Sequence, residues 1–171
     1  SMIDVSSFED ADGHLTVIST KGHTLVDRTR SWNLSTGINA NGFQDLFWQS
    51  SSGVVQNITA DISTGKLKWW LEARDTIIPD YQTQLDSMAV TMADAVNGLH
   101  TSGLDLNGMA GLEFFSPATD ASTLAVNGAI ANDTSLIAAA ANTENAPGGN
   151  GNAIGIAEIQ NGLLMSGNSA T

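Results

Sequence analysis

The sequence predicts an α+β fold: N-terminal antiparallel β-hairpins packed with a long heptad-patterned helix, followed by shorter C-terminal helices. Three observations carry that expectation. Residues 3–64 alternate apolar and polar side chains between clusters of turn residues. Residues 65–102 repeat apolar positions at heptad spacing. Residues 103–171 open with a Gly/Asp/Asn loop and continue as short apolar runs. The expected organisation is a β-hairpin-rich region at 3–64, a long helical region at 65–102, and a loop with short helices at 103–171. Together they make one to one and a half domains.

In the first region the run Leu15–Thr20, the turn Lys21-Gly22 and the run His23–Val26 read as a hairpin. Phe43–Gln49 and Val54–Ile58 read as a second, around Ser50–Gly53. Trp32 and Leu34 read as a further short strand. No internal repeat is visible.

Gly65 opens the helical region. Leu71, Ile78, Leu85, Met92 and Leu99 form one heptad series; Leu67, Tyr81, Met88 and Ala95 form a second, interrupted at Arg74. The two interleave by three and four, which is an a/d seam. A seam this long on a small chain predicts a rod packed lengthwise on other helices, not a catalytic pocket. The spacing also fits an amphipathic helix on a globular core, because three heptads stand at the threshold for a coiled coil. Pro79 lacks a backbone donor and clashes with the carbonyl four residues back, so it belongs in a first turn or marks a kink. Asp75 and Thr76 suit capping positions, and Asp80 suits the positive end of the helix dipole. The expectation is a short helix over about Leu67–Arg74, a break, and a main helix over about Ile77–His100 stopped by Gly103. The main helix would run roughly 35 Å. Leu85, Met88, Met92 and Leu99 are placed inward, Asp86 and Asp94 outward.

Beyond it, helices are expected from about Ser135 to Asn142, from about Asn127, and from about Ala153 to Met165. The stretch Asn142–Gly151 reads as a flexible loop by composition, and 166–171 as a frayed tail.

Composition narrows the function. With 42% hydrophobic residues the 171-residue chain can bury a real core, and it has no apolar run long enough to cross a membrane. It contains no cysteine, which excludes a disulfide scaffold, a thiol nucleophile and a cysteine-ligated metal. The net charge is −12, with six Lys and Arg. Binding to nucleic acid or to an anionic membrane surface depends on cations that this chain lacks. The acidity reads as solubility in preference to an acidic binding surface.

Candidate chemistry is thin. His14, His23 and His100 have no metal-ligand spacing, although His14 and His23 could face each other across the first hairpin. Asp105-Leu106-Asn107-Gly108 resembles half of a calcium loop, but Gly111 and Glu113 do not complete the register, and an Asx turn explains it better. No nucleophile elbow, phosphate-binding loop or dinucleotide fingerprint is present. Asp75, Asp80 and Asp86 read as caps and a solvated face. Arg74-Asp75 reads as an ion pair fixing the break between the helices. Trp69 and Trp70 are either a sugar-stacking platform or, preferably, a core residue (Trp70, beside Leu71) next to a half-exposed contact residue (Trp69).

An ordered series of residues goes further. Leu71, Arg74 and Asp75, then Ile78, Pro79, Tyr81 and Leu85, then Asn97 and His100, and finally Gly103, Asp105, Asn107, Gly108, Gly111, Phe114 and Phe115 stand at a spacing that resembles the flagellar hook-associated protein 1 family, the hook–filament junction proteins. Asp10–Val17 and Lys21–Val26 resemble that family's middle region, and Ala121–Asn127 and Asn152–Gln160 the stretch before its C-terminal helices. The chain departs from the family pattern at Trp69, where a small residue is usual, and at Leu104, where an aromatic is. A β-rich insertion found after the Phe-Phe pair in some members looks absent. Both terminal helical regions of the pattern are missing and Ser1-Met2 reads as an expression scar, so the chain is expected to be an excised middle piece.

The resemblance implies a structural part of the bacterial flagellum, secreted and extracellular, adapting the hook to the filament by packing side by side. It implies no enzyme activity, no cofactor and no metal. The partners it implies are copies of the same protein and neighbouring hook and junction proteins, with no nucleic acid or membrane, and a monomer when the piece stands alone. An alternative of another class is a secreted carbohydrate-binding or adhesive module using the tryptophans.

Overall fold

The computed structural model describes residues 2–162. They fall into two compact units that divide between Ile78 and Pro79.

The first unit carries two antiparallel sheets. One has four strands in sequence order: β1 (Val5–Glu9), β2 (Leu15–Ser19), β3 (Thr24–Asp27) and β4 (Arg30–Ser31). The other has three: β5 (Leu34–Ile38), β6 (Gln44–Gln49) and β7 (Val55–Asn57). Both hairpins read from the sequence are present, as β2–β3 and β6–β7. The edge strand β1 carries only Val5 and Phe8 as large apolar residues and is exposed throughout, so alternation did not reveal it.

Four hairpin turns share one device. Asp10, Ser19, Asn39 and Ser50 each stand three residues before a glycine, Gly13, Gly22, Gly42 and Gly53. In each, the side-chain oxygen of the first residue accepts the amide of the residue after the glycine. The glycine sits at φ +80° to +84°, a left-handed conformation that costs a residue with a Cβ. This polar-x-x-Gly pattern is a short repeat, which corrects the expectation of no internal repeat.

The sheets are joined through side chains. Trp48 on β6 donates its indole N–H to the Thr24 carbonyl at 2.7 Å, and the His23 ring lies against it at 5.0 Å. Ile58, Ile62 and Leu71 are the buried apolar residues of this unit.

The helical stretch corrects the expectation of a break. Helix α1 (Gly65–Glu72) passes through a π-turn (Ala73–Ile77) into α2 (Ile78–Ser102). The Ile78 amide bonds the Ala73 carbonyl five residues back. The wider turn relieves the clash that Pro79 would cause in a tight helix, and it shifts the phase of the apolar pattern where Arg74 interrupts it. Among the described residues no helix is long and apolar enough to cross a membrane.

The second unit folds back on α2. A turn at Asp105–Met109 leads to an extended segment whose Phe115 bridges Val126. Asn127 then caps α3 (Gly128–Asn132) by accepting the Ala129 amide. The helix expected over Ser135–Asn142 is absent. Asp133 accepts both the amide and the hydroxyl of Ser135, closing a 3-10 turn at Thr134–Leu136. The following alanines then spend their amides elsewhere: Ala138 on His100, and Ala140 on Leu104. Tertiary hydrogen bonds thus override alanine's helix propensity. Helix α4 (Gly151–Glu158) continues as a 3-10 turn to Asn161, and the expected extension from 163 to Met165 lies outside the described residues.

Candidate functional site

Of the residues singled out by sequence, one group converges on the C-terminal end of α2. His100 is 1% exposed. Its Nδ1 lies 2.5 Å from the Leu112 carbonyl, and its Nε2 accepts the Ala138 amide at 3.0 Å. Those partners fix the tautomer: Nδ1 carries the proton and Nε2 is the acceptor. The Phe114 ring meets the imidazole edge-on at 5.3 Å and Phe115 at 5.1 Å. One turn earlier, Asn97 pairs with the Phe115 backbone, donating to its carbonyl (3.0 Å) and accepting its amide (2.8 Å).

The glycines here serve close packing. A Cβ on Gly111 would strike the His100 carbonyl, and one on Gly103 would strike the Asn152 amide group. Gly103 follows the last residue of α2 and leaves room for Asn152, which donates to the Ala138 carbonyl at 2.7 Å.

Asp105, buried, repeats the hairpin-turn device. Its Oδ1 accepts the amides of Asn107 (2.8 Å) and Met109 (2.9 Å), with Gly108 at φ +71°. These bonds, the Met109 amide first, hold its carboxyl below the ordinary range. The segment is an Asx turn, as its sequence suggested, with Oδ1 committed to two backbone amides and Oδ2 accepting from the Asn107 side chain at 3.4 Å. Asn127 and Asn152 complete this polar core; neither stood out, since an isolated asparagine has no periodic or spacing signal.

A second group lies in the first unit. Leu71 is buried. Arg74 grips Asp75 with two nitrogens, at 2.6 and 2.8 Å, and the same carboxylate raises the arginine's pKa while its own is lowered. Trp70, expected in the core, is exposed like Trp69. Successive helical residues diverge by about 100°, so the two rings do not form one stacking platform.

The histidines corrected another expectation. His14 pairs with Asp10 (3.2 Å) and His23 with Asp61 (3.0 Å), at opposite ends of β2, so they do not face each other. Asp10, Asp12 and His14 do cluster, but the Asp10 carboxylate is committed to its own turn and to Arg28.

The third group is the seam. Ile78 and Pro79 open α2; beyond them Tyr81 (63% exposed), Leu85 (54%) and Met88 (52%) stand in solvent, while Met92 is 37% exposed and Leu99 half-buried. The inward placement of Leu85 and Met88 is therefore overturned, while Met92 and Leu99 are partly covered. The buried stripe is Ala89, Ala93 and His100, with Val96 and Asn97 half-buried between them. Asp86, placed outward, is half-buried and accepts the Ala121 amide at 2.9 Å. Alanine is weakly hydrophobic and histidine polar, so this second stripe was hidden by the louder one.

Residues 1–115 match the family model described as the flagellar hook-associated protein FlgK helical domain. The chain belongs to this family. Among solved structures it is similar to the flagellar hook junction protein FlgK from Burkholderia pseudomallei, with a TM-score of 0.54 and 22% sequence identity. That match covers 67% of this chain and 22% of the Burkholderia protein, so the chain spans about a fifth of that protein's length. The likeness shows a shared fold. No curated protein matches this chain. The family match ends at Phe115, the last residue of the motif series, with the polar core around His100 straddling that point.

Proposed function

We propose that this chain is a structural segment of the bacterial flagellum, outside the cell, at the junction of hook and filament. It works by packing its helix lengthwise against helices of other flagellar subunits and of its own copies, without catalysis. The observation that supports this is the seam: Tyr81, Leu85, Met88 and Met92 keep heptad spacing, and among the described residues nothing covers the first three, while Met92 is about a third exposed. A regular apolar stripe left in solvent is a surface for a partner helix. Its flanks at Gln82, Gln84 and Thr91 are uncharged, so apolar fit and not ion pairing would set the contact. The family membership supports the same reading.

The test is a double substitution, Leu85→Gln with Met88→Gln, in the flagellar protein as the bacterium makes it. Filaments should detach and swimming should fall, while the protein's abundance stays unchanged. Normal swimming with intact filaments would defeat the proposal.

A further inference from the structure

The first unit holds its three-stranded sheet against the helix by very little. Strand β7 is exposed throughout and β5 is exposed except at Gly37, while β6 is half-buried at residues 45–48, where Trp48 and Leu46 bond Thr24 and Thr59 and not the helix. Among the described residues one hydrogen bond joins strands β5–β7 to helical residues 65–78: Arg74 Nη1 donates to the Gln44 carbonyl at 2.6 Å. Around that bond the guanidinium does three further things. Its Nε and Nη2 grip Asp75. Its face lies over the Phe43 ring at 5.1 Å. Its Nη2 stands 3.8 Å from Asp45, whose carboxylate accepts from Asn39 (2.9 Å) and Asn57 (2.8 Å). One side chain on the π-turn thus touches Phe43 and the start of β6, and Asp45 links it to Asn39 just after β5 and to Asn57 at the end of β7.

We propose that Arg74 is a latch for the turn end of the β5–β6 hairpin, residues 38–44, which docks on the helix or is released from it while Trp48 and Leu46 keep the rest of β6 in place. Asp75 orients the fork, and the remaining nitrogen and the flat face engage the hairpin. Release requires no unpairing of the β5–β6 ladder, because none of its bonds involves Arg74. Residues 40–44 at the turn are exposed, and a region with few buried contacts opens locally ahead of the rest of the fold. The hairpin carries exposed Ile38 and Phe43, so docking fixes where those apolar groups are presented. A lysine would keep the charge but lose the fork and the flat face.

The chain's lack of cysteine makes the test direct. Spin labels on Asn41→Cys in the hairpin turn and Lys68→Cys on α1 report the distance between them. The otherwise unchanged chain should give one narrow distribution. Arg74→Lys and Arg74→Gln should widen it by about twofold or more, with helical circular dichroism unchanged. A distribution that stays narrow in both variants would overturn the latch. If the Arg74 variants unfold, Phe43→Ala decides: it removes only the ring beneath the guanidinium, and a wider distribution supports the latch while an unchanged one overturns it.

Discussion

Helix α2 carries two stripes of opposite character. One is made of small and polar residues, Ala89, Ala93, Asn97 and His100, and the protein's own chain covers it. The other is made of large apolar residues: Tyr81, Leu85 and Met88 lie in solvent, and Met92 ends the stripe partly covered. Hydrophobicity alone ranks them in the wrong order. The covered stripe works because alanines let a backbone approach closely and because His100 and Asn97 satisfy carbonyls and amides that the irregular segment 103–140 cannot pair within itself. The uncovered stripe has the regular spacing that another helix reads. A side chain's size does not say whether its partner belongs to the same chain.

The sharpest way to break this contrast is at His100. Replacing it by alanine removes a buried ring and strands the Leu112 carbonyl and the Ala138 amide. The expected loss is about 3–5 kcal/mol in urea melts. A loss below about 1 kcal/mol would show that the covered stripe contributes no more than an ordinary surface.

Gly111→Ala tests the same region by overpacking. The added methyl meets the His100 carbonyl and the Ala138 side chain, so backbone must move. About 1–3 kcal/mol should be lost. Gly98→Ala, on the same helix with open space beside it, should be neutral or slightly stabilising and serves as the control.

Asp105 gives the contrast a pH signature. Its carboxyl is held below the ordinary value by the Met109 and Asn107 amides. A depressed folded value means that its stabilising contribution is complete above about pH 4 and is lost as pH falls through the lower, folded value. Asp105→Asn should lower the melting temperature at neutral pH and flatten its decline in that acid window. An unchanged acid slope would show that the turn does not depend on the carboxylate. Asp4 titrates in the same direction, lowered to about 2 by the hydroxyls of Thr20 and Ser63, so the comparison must be made within one background.

How much of this was legible depends on what carried it. Two of the five strand pairings, β2–β3 and β6–β7, were legible because hairpins are local: alternation and turn glycines lie within a few residues of each other. The DLNG turn was legible for the same reason, and the polar-x-x-Gly pattern would have revealed β1 through Asp10 and Gly13. The π-turn was half legible, since Pro79 announced a disturbance without saying whether the helix breaks or widens. The buried stripe and the absent helix at Ser135–Asn142 were not legible. Both depend on bonds such as Ala138 to His100, between residues far apart in sequence, and no window of sequence contains them. The Arg74 contacts with Phe43 and Gln44 were hidden for the same reason.

The smallest expected effect concerns the seam and is the most telling. Buried, Leu85 or Met88 truncated to alanine would lose about 2–5 kcal/mol. Both are more than half exposed, and alanine propagates a helix at least as well as leucine or methionine. Each substitution should therefore change the stability of this chain by less than about 0.5 kcal/mol. The measurement is a urea melt at two protein concentrations well apart. A small change at both would mean that the seam is idle in the isolated chain and available to a partner. A loss of about 2 kcal/mol or more that grows with concentration would mean that copies of the chain already cover the seam for each other, because only association makes stability depend on concentration. The same loss without concentration dependence would place the seam inside the chain's own core and remove the basis for the contrast.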